Sequence, residues 1–166
     1  MATVLNPGSF DPIHLGHLDV IEQSVELFGH VTVAVMHNYE KTGGLFSIDE
    51  RVRLIEGAAG EAGIADQVKV VARSGLAIHT AAEHGASFIV KGLRTADDFE
   101  IEQQMAHMNR SSAGVRTVFV PSRPDVGFLS SRFIREIASH GGEIAHLVPP
   151  SVAAALADRF AGPSLQ

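Results

Sequence analysis

A chain of 166 residues with 45% hydrophobic content can bury one good core and is too short for two comfortable domains. Its formal net charge of −6 argues against a nucleic-acid-binding surface, and the absence of cysteine excludes disulfides, thiolate catalysis and cysteine-ligated metal clusters. No apolar run approaches a membrane span and Met1 to Phe10 show no basic-then-apolar leader, so the expected setting is the cytoplasm, with neither membrane nor nucleic acid as partner.

In chain order, Thr3–Leu5 reads as a short apolar strand. The stretch Gly8-Ser9-Phe10-Asp11-Pro12-Ile13-His14-Leu15-Gly16-His17 then leads into a helix that places Leu18, Ile21, Val25 and Phe28 on one face. A glycine-bearing loop between a strand and a helix N-terminus is a physical phosphate site. Glycine lets the backbone approach an anion, and the free N–H groups of the first turn point at it. His14 and His17 flank Gly16 and can face one phosphate as hydrogen-bond donors while mostly neutral. The competing readings are an ordinary turn that holds two histidines, or a metal site. The metal reading finds no carboxylate at a useful spacing and no third ligand.

Val31–Met36 is apolar on both faces, as expected of a strand covered by helices on both sides. Lys41 follows in the loop after it. The chain has only three lysines, Lys41, Lys69 and Lys91, and an acidic protein that handles phosphate must gather its cations locally. Ser47-Ile48-Asp49-Glu50 is a capping-box pattern opening a helix that runs to about Ala59. A strand at Val68–Ala72, a helix at Ala77 to Glu83 and a strand at Ser87–Val90 come next.

Lys91-Gly92-Leu93-Arg94 follows that strand; Gly92 permits a tight turn, Lys91 supplies a point charge and Arg94 a bidentate clamp. The next helix, Ala96 to Arg110, carries Glu102, which reads as an acceptor for a ribose hydroxyl, a group orienting Arg94, or a solvated charge. Thr117–Val120 is the last strand. In Gly127-Phe128-Leu129-Ser130-Ser131-Arg132-Phe133-Ile134-Arg135 two serines open a helix reaching Ser139, where capping and phosphate binding draw on the same N–H groups. Arg132 and Arg135, one turn apart, can both reach an anion there. Pro149-Pro150 start a final helix to Phe160, and Ala161 to Gln166 read as a frayed tail. His30, His37, His79, His84, His107, His140 and His146 carry no usable spacing.

Strands alternating with helices at this spacing predict an α/β fold: a Rossmann-like, doubly wound five-stranded parallel sheet in a single domain over residues 1–160. Ligands of such folds bind at the carboxyl ends of the strands, near the switch in strand order.

The same residues resemble the HxGH/TxGH nucleotidyltransferase superfamily and, within it, the bacterial phosphopantetheine adenylyltransferases. The resemblance runs from Leu5 to Phe160 and is carried by Pro7 to Pro12, Phe46 to Arg51, Lys91 to Arg94, Asp98 to Glu102 and Met105 to Arg110. It implies transfer of the adenylyl group of ATP to 4′-phosphopantetheine, with magnesium accompanying ATP, coenzyme A as a feedback ligand and a homohexamer. His17, Lys41 and Arg94 become the implied catalytic residues. Implied ATP positions are Ser9, Phe10, His17, Gly92, Leu93, Arg94, Glu102 and Val126, Gly127, Phe128, Leu129, Ser130, Ser131 and Arg132. Ser9, Lys41, Ala77 and Lys91 are implied for phosphopantetheine, and no protein metal site is implied. Three departures stand out: His14 where threonine is more frequent, Asn6 before the proline, and Arg132 in place of a serine or threonine. Nicotinate-mononucleotide adenylyl transfer and a non-catalytic ATP-sensing module are the rival readings. The first wants a stacking aromatic in a chain with one tyrosine and no tryptophan.

Overall fold

Burial on both faces of the central strands sets the architecture. In the computed structural model, which describes residues 3–37 and 43–161, five strands form one all-parallel sheet: β1 (Val4–Gly8), β2 (Val31–His37), β3 (Val68–Ser74), β4 (Phe88–Leu93) and β5 (Arg116–Pro121), in the order β3-β2-β1-β4-β5. The helices are α1 (Leu15–Phe28), α2 (Ile48–Glu61), α3 (Ala77–Glu83), α4 (Ala96–Ala113), α5 (Ser131–Ser139) and α6 (Pro150–Phe160), with a short 3-10 turn at Ala65–Gln67. The fold class expected from the sequence is the one observed.

The two faces of the sheet carry two apolar clusters. Val4, Val33 and Val90 pack with Ile21 of α1, Ile55 of α2, Ile134 of α5 and Leu156 of α6. Their sequence neighbours Leu5, Ala34 and Ile89 point the other way, against Ile78 and Ala81 of α3. Phe99 of α4 meets Phe119 edge-on with ring centroids 5.5 Å apart. Strands sandwiched in this way have no solvent-facing side, which is why β2 is buried throughout its first five residues.

The sheet changes direction between β1 and β4, where the chain, having added β2 and β3 on one side, crosses to the other. A doubly wound sheet opens a crevice at that switch point. Both strands run further toward it than expected. β1 continues through Pro7 and Gly8, which pair with Ala34 and Val35 of β2. β4 continues through Lys91, Gly92 and Leu93, which pair with Phe119, Val120 and Pro121 of β5. Gly92 therefore makes no turn. It is needed for close packing: a Cβ there would stand 2.5 Å from Val20 Cγ2 of α1. Gly8 likewise lies in a strand rather than a phosphate loop, under the Phe10 ring.

Candidate active site

Asn6, Ser9, Phe10, His14, His17, Lys91, Gly92, Arg94, Asp98, Glu102, Ser130, Ser131 and Arg132 line one cleft of about 460 Å³ at the β1–β4 switch point. Five separate segments contribute to it, and each is positioned by a local device.

The link from β1 to α1 is held by Asp11. Its carboxylate accepts the N–H groups of Leu45 and Phe46, both at 2.9 Å, and pairs with Arg51 at 3.4 Å and Arg135 at 3.7 Å. Arg135 also donates to the Asp11 carbonyl, and Ser131 Oγ donates to the Pro12 carbonyl at 2.9 Å. The entry to α5 is thereby tied to the entry to α1. Arg135 is thus bound to Asp11 and is not the free second anion ligand expected beside Arg132. Phe10 adopts φ +46°, a left-handed conformation that costs a non-glycine residue roughly 1–3 kcal/mol and is held by its full burial.

His14 is the N-cap of α1. Its Nδ1 accepts the N–H groups of Gly16 at 3.1 Å and His17 at 3.3 Å, while His17 Nδ1 accepts the N–H of His14 at 3.4 Å. This corrects the expectation that the first-turn N–H groups of this helix face an anion, since the His14 imidazole takes two of them. Because both Nδ1 atoms act as acceptors, the proton of each neutral ring sits on Nε2. The rings stack with centroids 3.7 Å apart, and Phe10 meets His17 edge-on at 5.0 Å. Burial, then the nearby Arg94 guanidinium, lowers the His14 pKa to about 4. Burial, His14 and Arg94 hold His17 well below its ordinary value. The pair therefore stays neutral, as expected, and presents two fixed Nε2–H donors.

The far side of the cleft comes from β4, α4 and α5. Lys91 Nζ pairs with Glu102 at 3.1 Å. Glu102 thus serves Lys91, and the expectation that it orients Arg94 is not met; that carboxylate is Asp98. Arg94 Nε and NH2 donate to the two oxygens of Asp98 at 2.9 and 3.2 Å, and its NH1 donates to the Leu129 carbonyl at 3.0 Å. Ser130 stands at the N-cap of α5 with extended backbone, yet its side chain makes no cap hydrogen bond. The first-turn N–H groups of α5 are left without the side-chain cap that α1 has. Arg132 is exposed beside them and, among the described residues, has no ion-pair partner.

Other expected residues stand elsewhere. Val126 and Leu129 are buried in the core, Phe128 is 70% exposed, and Gly127 donates its N–H to the Arg123 carbonyl at 2.9 Å. Leu93 ends β4 and accepts the Ser122 N–H at 2.9 Å. Ala77 opens α3 beside the second core cluster, outside the lining of this cleft. Lys41 lies outside the described residues. Sequence reasoning missed Asp98 and Asp11. The four-residue spacing of Arg94 and Asp98 was an available signal for the first; Asp11 acts over separations of 34 or more residues and left none.

Among the described residues no group of three or more histidine, cysteine or acidic side chains could hold a metal ion. The cleft's carboxylates, Asp98 and Glu102, are both engaged by cations.

A cleft built from neutral imidazoles, an oriented guanidinium and a helix N-terminus is equipped to hold and stabilise phosphates in place, without a proton-abstracting base. The comparisons define the class: residues 5–137 match the cytidylyltransferase-like family. The chain is 46% identical over 160 residues to a phosphopantetheine adenylyltransferase of Streptomyces coelicolor, covering 96% of this chain and 98% of that relative. A Deinococcus radiodurans protein of the same name is 46% identical over 93% of this chain and 92% of its own, and one of Corynebacterium diphtheriae 41% over 96% and 98%. Within the cytidylyltransferase-like class, the chain belongs to the phosphopantetheine adenylyltransferase family.

Proposed function

We propose that this chain transfers the adenylyl group of ATP to 4′-phosphopantetheine, releasing pyrophosphate and giving dephospho-coenzyme A. The observation that carries the reading is the pairing of two Nε2–H imidazole donors with Arg94 across one cleft, within a chain 46% identical to its named relatives over nearly full length. A phosphate oxygen of phosphopantetheine forms the new bond to the α-phosphorus of ATP. The bond from that phosphorus to the bridging oxygen breaks, and pyrophosphate leaves with the electron pair. The nucleophile is already anionic, so no general base is needed, and the low pKa of both imidazoles fits donors that never take up a proton.

Catalysis then rests on positioning and charge stabilisation. His17 Nε2–H meets the developing charge at the α-phosphate, with Lys41 as the second cation on the strength of the resemblance. Lys91 holds the incoming phosphate, exchanging Glu102 for it. Arg94 and the α5 N-terminus, with Ser130, Ser131 and Arg132, hold the leaving pyrophosphate. Ser9 and Phe10 contact ATP by backbone. Magnesium enters as part of the ATP substrate, neutralising phosphate charge. The carboxylates here are already paired, which fits an ion carried on phosphates and water better than a resident one.

The reading extends to assembly and setting. α4 buries none of its residues and exposes Ile101, Met105 and Met108, an apolar face that a homohexamer would cover. Coenzyme A, with the same pantetheine arm and an adenine nucleotide, competes for the cleft as feedback ligand. None of the described helices is long and apolar enough to cross a membrane, in keeping with a cytoplasmic enzyme. The test is pyrophosphate release from ATP with 4′-phosphopantetheine and, in parallel, nicotinate mononucleotide. Release with the first alone is expected. Release with the second alone reassigns the acceptor, and tight ATP binding without release from either makes the protein a sensor. Sedimentation as a monomer would remove the hexamer.

A further inference from the structure

The cleft's cations do not enter the reaction equally free. Lys91 touches Glu102 through a single contact, and Arg135 is held by Asp11 at the base of the loop. Arg94 is different in kind. Two of its N–H groups meet the two oxygens of Asp98 fork to fork, and a third reaches the Leu129 carbonyl, immediately before the N-cap of α5. A guanidinium has five N–H donors in one rigid plane, so three contacts fix that plane and leave two donors for a phosphate. Arg94 thus spans from the first turn of α4 to the entrance of α5.

Asp98 is itself anchored. Its backbone N–H donates to Thr95 Oγ1, the N-cap of α4, at 3.2 Å, and its charge sits in a helix first turn, where the dipole favours an anion. The side chains of Arg94 and Asp98 are 41% and 29% exposed. Ion pairs so placed contribute little to folding. Fold stability therefore does not account for a three-point hold, whereas preorganisation of a phosphate ligand does.

We infer that Asp98 is a positioning residue of the adenylyl-transfer site, acting through Arg94: it fixes the guanidinium against the Leu129 carbonyl so that the two free N–H groups face the pyrophosphate end of the nucleotide. The reaction assigned to it rests on the function proposed above; the geometry does not. Asp98 acts by holding the Arg94 donor plane in advance, which counts most where charge builds on the departing pyrophosphate. Its loss should therefore appear in kcat rather than in ATP KM.

A double-mutant cycle tests this. Asp98→Ala and Asp98→Asn should lower kcat about tenfold while ATP KM changes less than about threefold, with Asp98→Glu restoring part of the loss. On an Arg94→Ala background, Asp98→Ala should change kcat less than about twofold, because residues acting as a unit are not additive. An equal fall on both backgrounds, or none on either, overturns the inference. The Arg94 Nε–H proton, identified in NMR spectra by its loss in Arg94→Lys, gives a readout without turnover. It should be protected from exchange in the wild type and exchange rapidly in Asp98→Ala; persistent protection in the variant overturns the inference. If the wild type uses another phosphate acceptor, the reaction is reassigned while the cycle and the NMR signal stay readable. An active wild type with silent Asp98 variants overturns this inference alone.

Discussion

Two helix N-termini meet at the cleft, and they are finished in opposite ways. That of α1 is closed by the His14 ring, which accepts two backbone N–H groups and stacks on His17, within a capping box and largely buried. That of α5 begins at Ser130 with no side-chain cap and carries the exposed Arg132, which has no ion-pair partner among the described residues. In α1 the backbone donors are converted into two side-chain donors with fixed tautomers and no charge. In α5 the backbone donors remain available. The proposed reaction, which must hold one phosphate group still while charge builds on another, is served by this division if the rigid neutral pair faces the reacting phosphorus and the open cationic end the departing group.

The contrast is broken most sharply at His17. His17→Ala should cut turnover by roughly 10²–10³, about 3–4 kcal/mol of transition-state stabilisation, while ATP affinity falls little. Steady-state kinetics with a parallel ATP titration would show it, and near-normal turnover removes His17 from the mechanism.

Acid titration acts on the same helix. The folded His14 pKa, about 4, lies below the unfolded 6.5, so the unfolded chain binds the extra proton first. Stability is full above pH 6.5 and falls as pH drops from 6.5 toward 4, by about 3 kcal/mol from His14 alone. Thermal melts across that range should show the decline, and His14→Ala should reduce it to the part that His17 contributes.

At neutral pH His14→Ala should cost roughly 1 kcal/mol, the worth of an N-cap, with a matching drop in melting temperature. Turnover should fall with it, since His17 loses both its stacked neighbour and the helix end that places it. The counterpart change in α5, Ser130→Ala, removes no cap hydrogen bond and should shift stability by less than about 0.5 kcal/mol. A loss as large as that of His14→Ala would show that the two helix ends are alike after all.

Much of this was legible in the sequence because it depends on local pattern. Apolar runs and 3.6-residue spacing predict five strands and six helices in order; the Ala77 to Glu83 helix and the end of the last helix at Phe160 lie where the pattern places them. Gly8 and Gly92 misled because glycine signals a turn from sequence. Here each extends a parallel strand, Gly92 because Val20 leaves no room for a Cβ. The sequence reads the histidine pair as a phosphate site with an open helix end, whereas His14 closes that end, since nothing local distinguishes an imidazole that caps from one that waits.

The amino-acid order by itself determined the alternation of strands and helices, the parallel sheet it forces, and the chemical types gathered at strand ends, all of which follow from periodicity and residue chemistry over short distances. The tertiary structure decided which charge answers which. Asp11 reaches Leu45, Phe46, Arg51 and Arg135, Arg94 reaches Leu129 as well as Asp98, and Lys91 rather than Arg94 takes Glu102. Those partnerships rest on side chains brought within a few ångströms by the β1–β4 switch point, where hydrogen bonds and ion pairs discriminate by distance and angle that spacing along the chain does not encode.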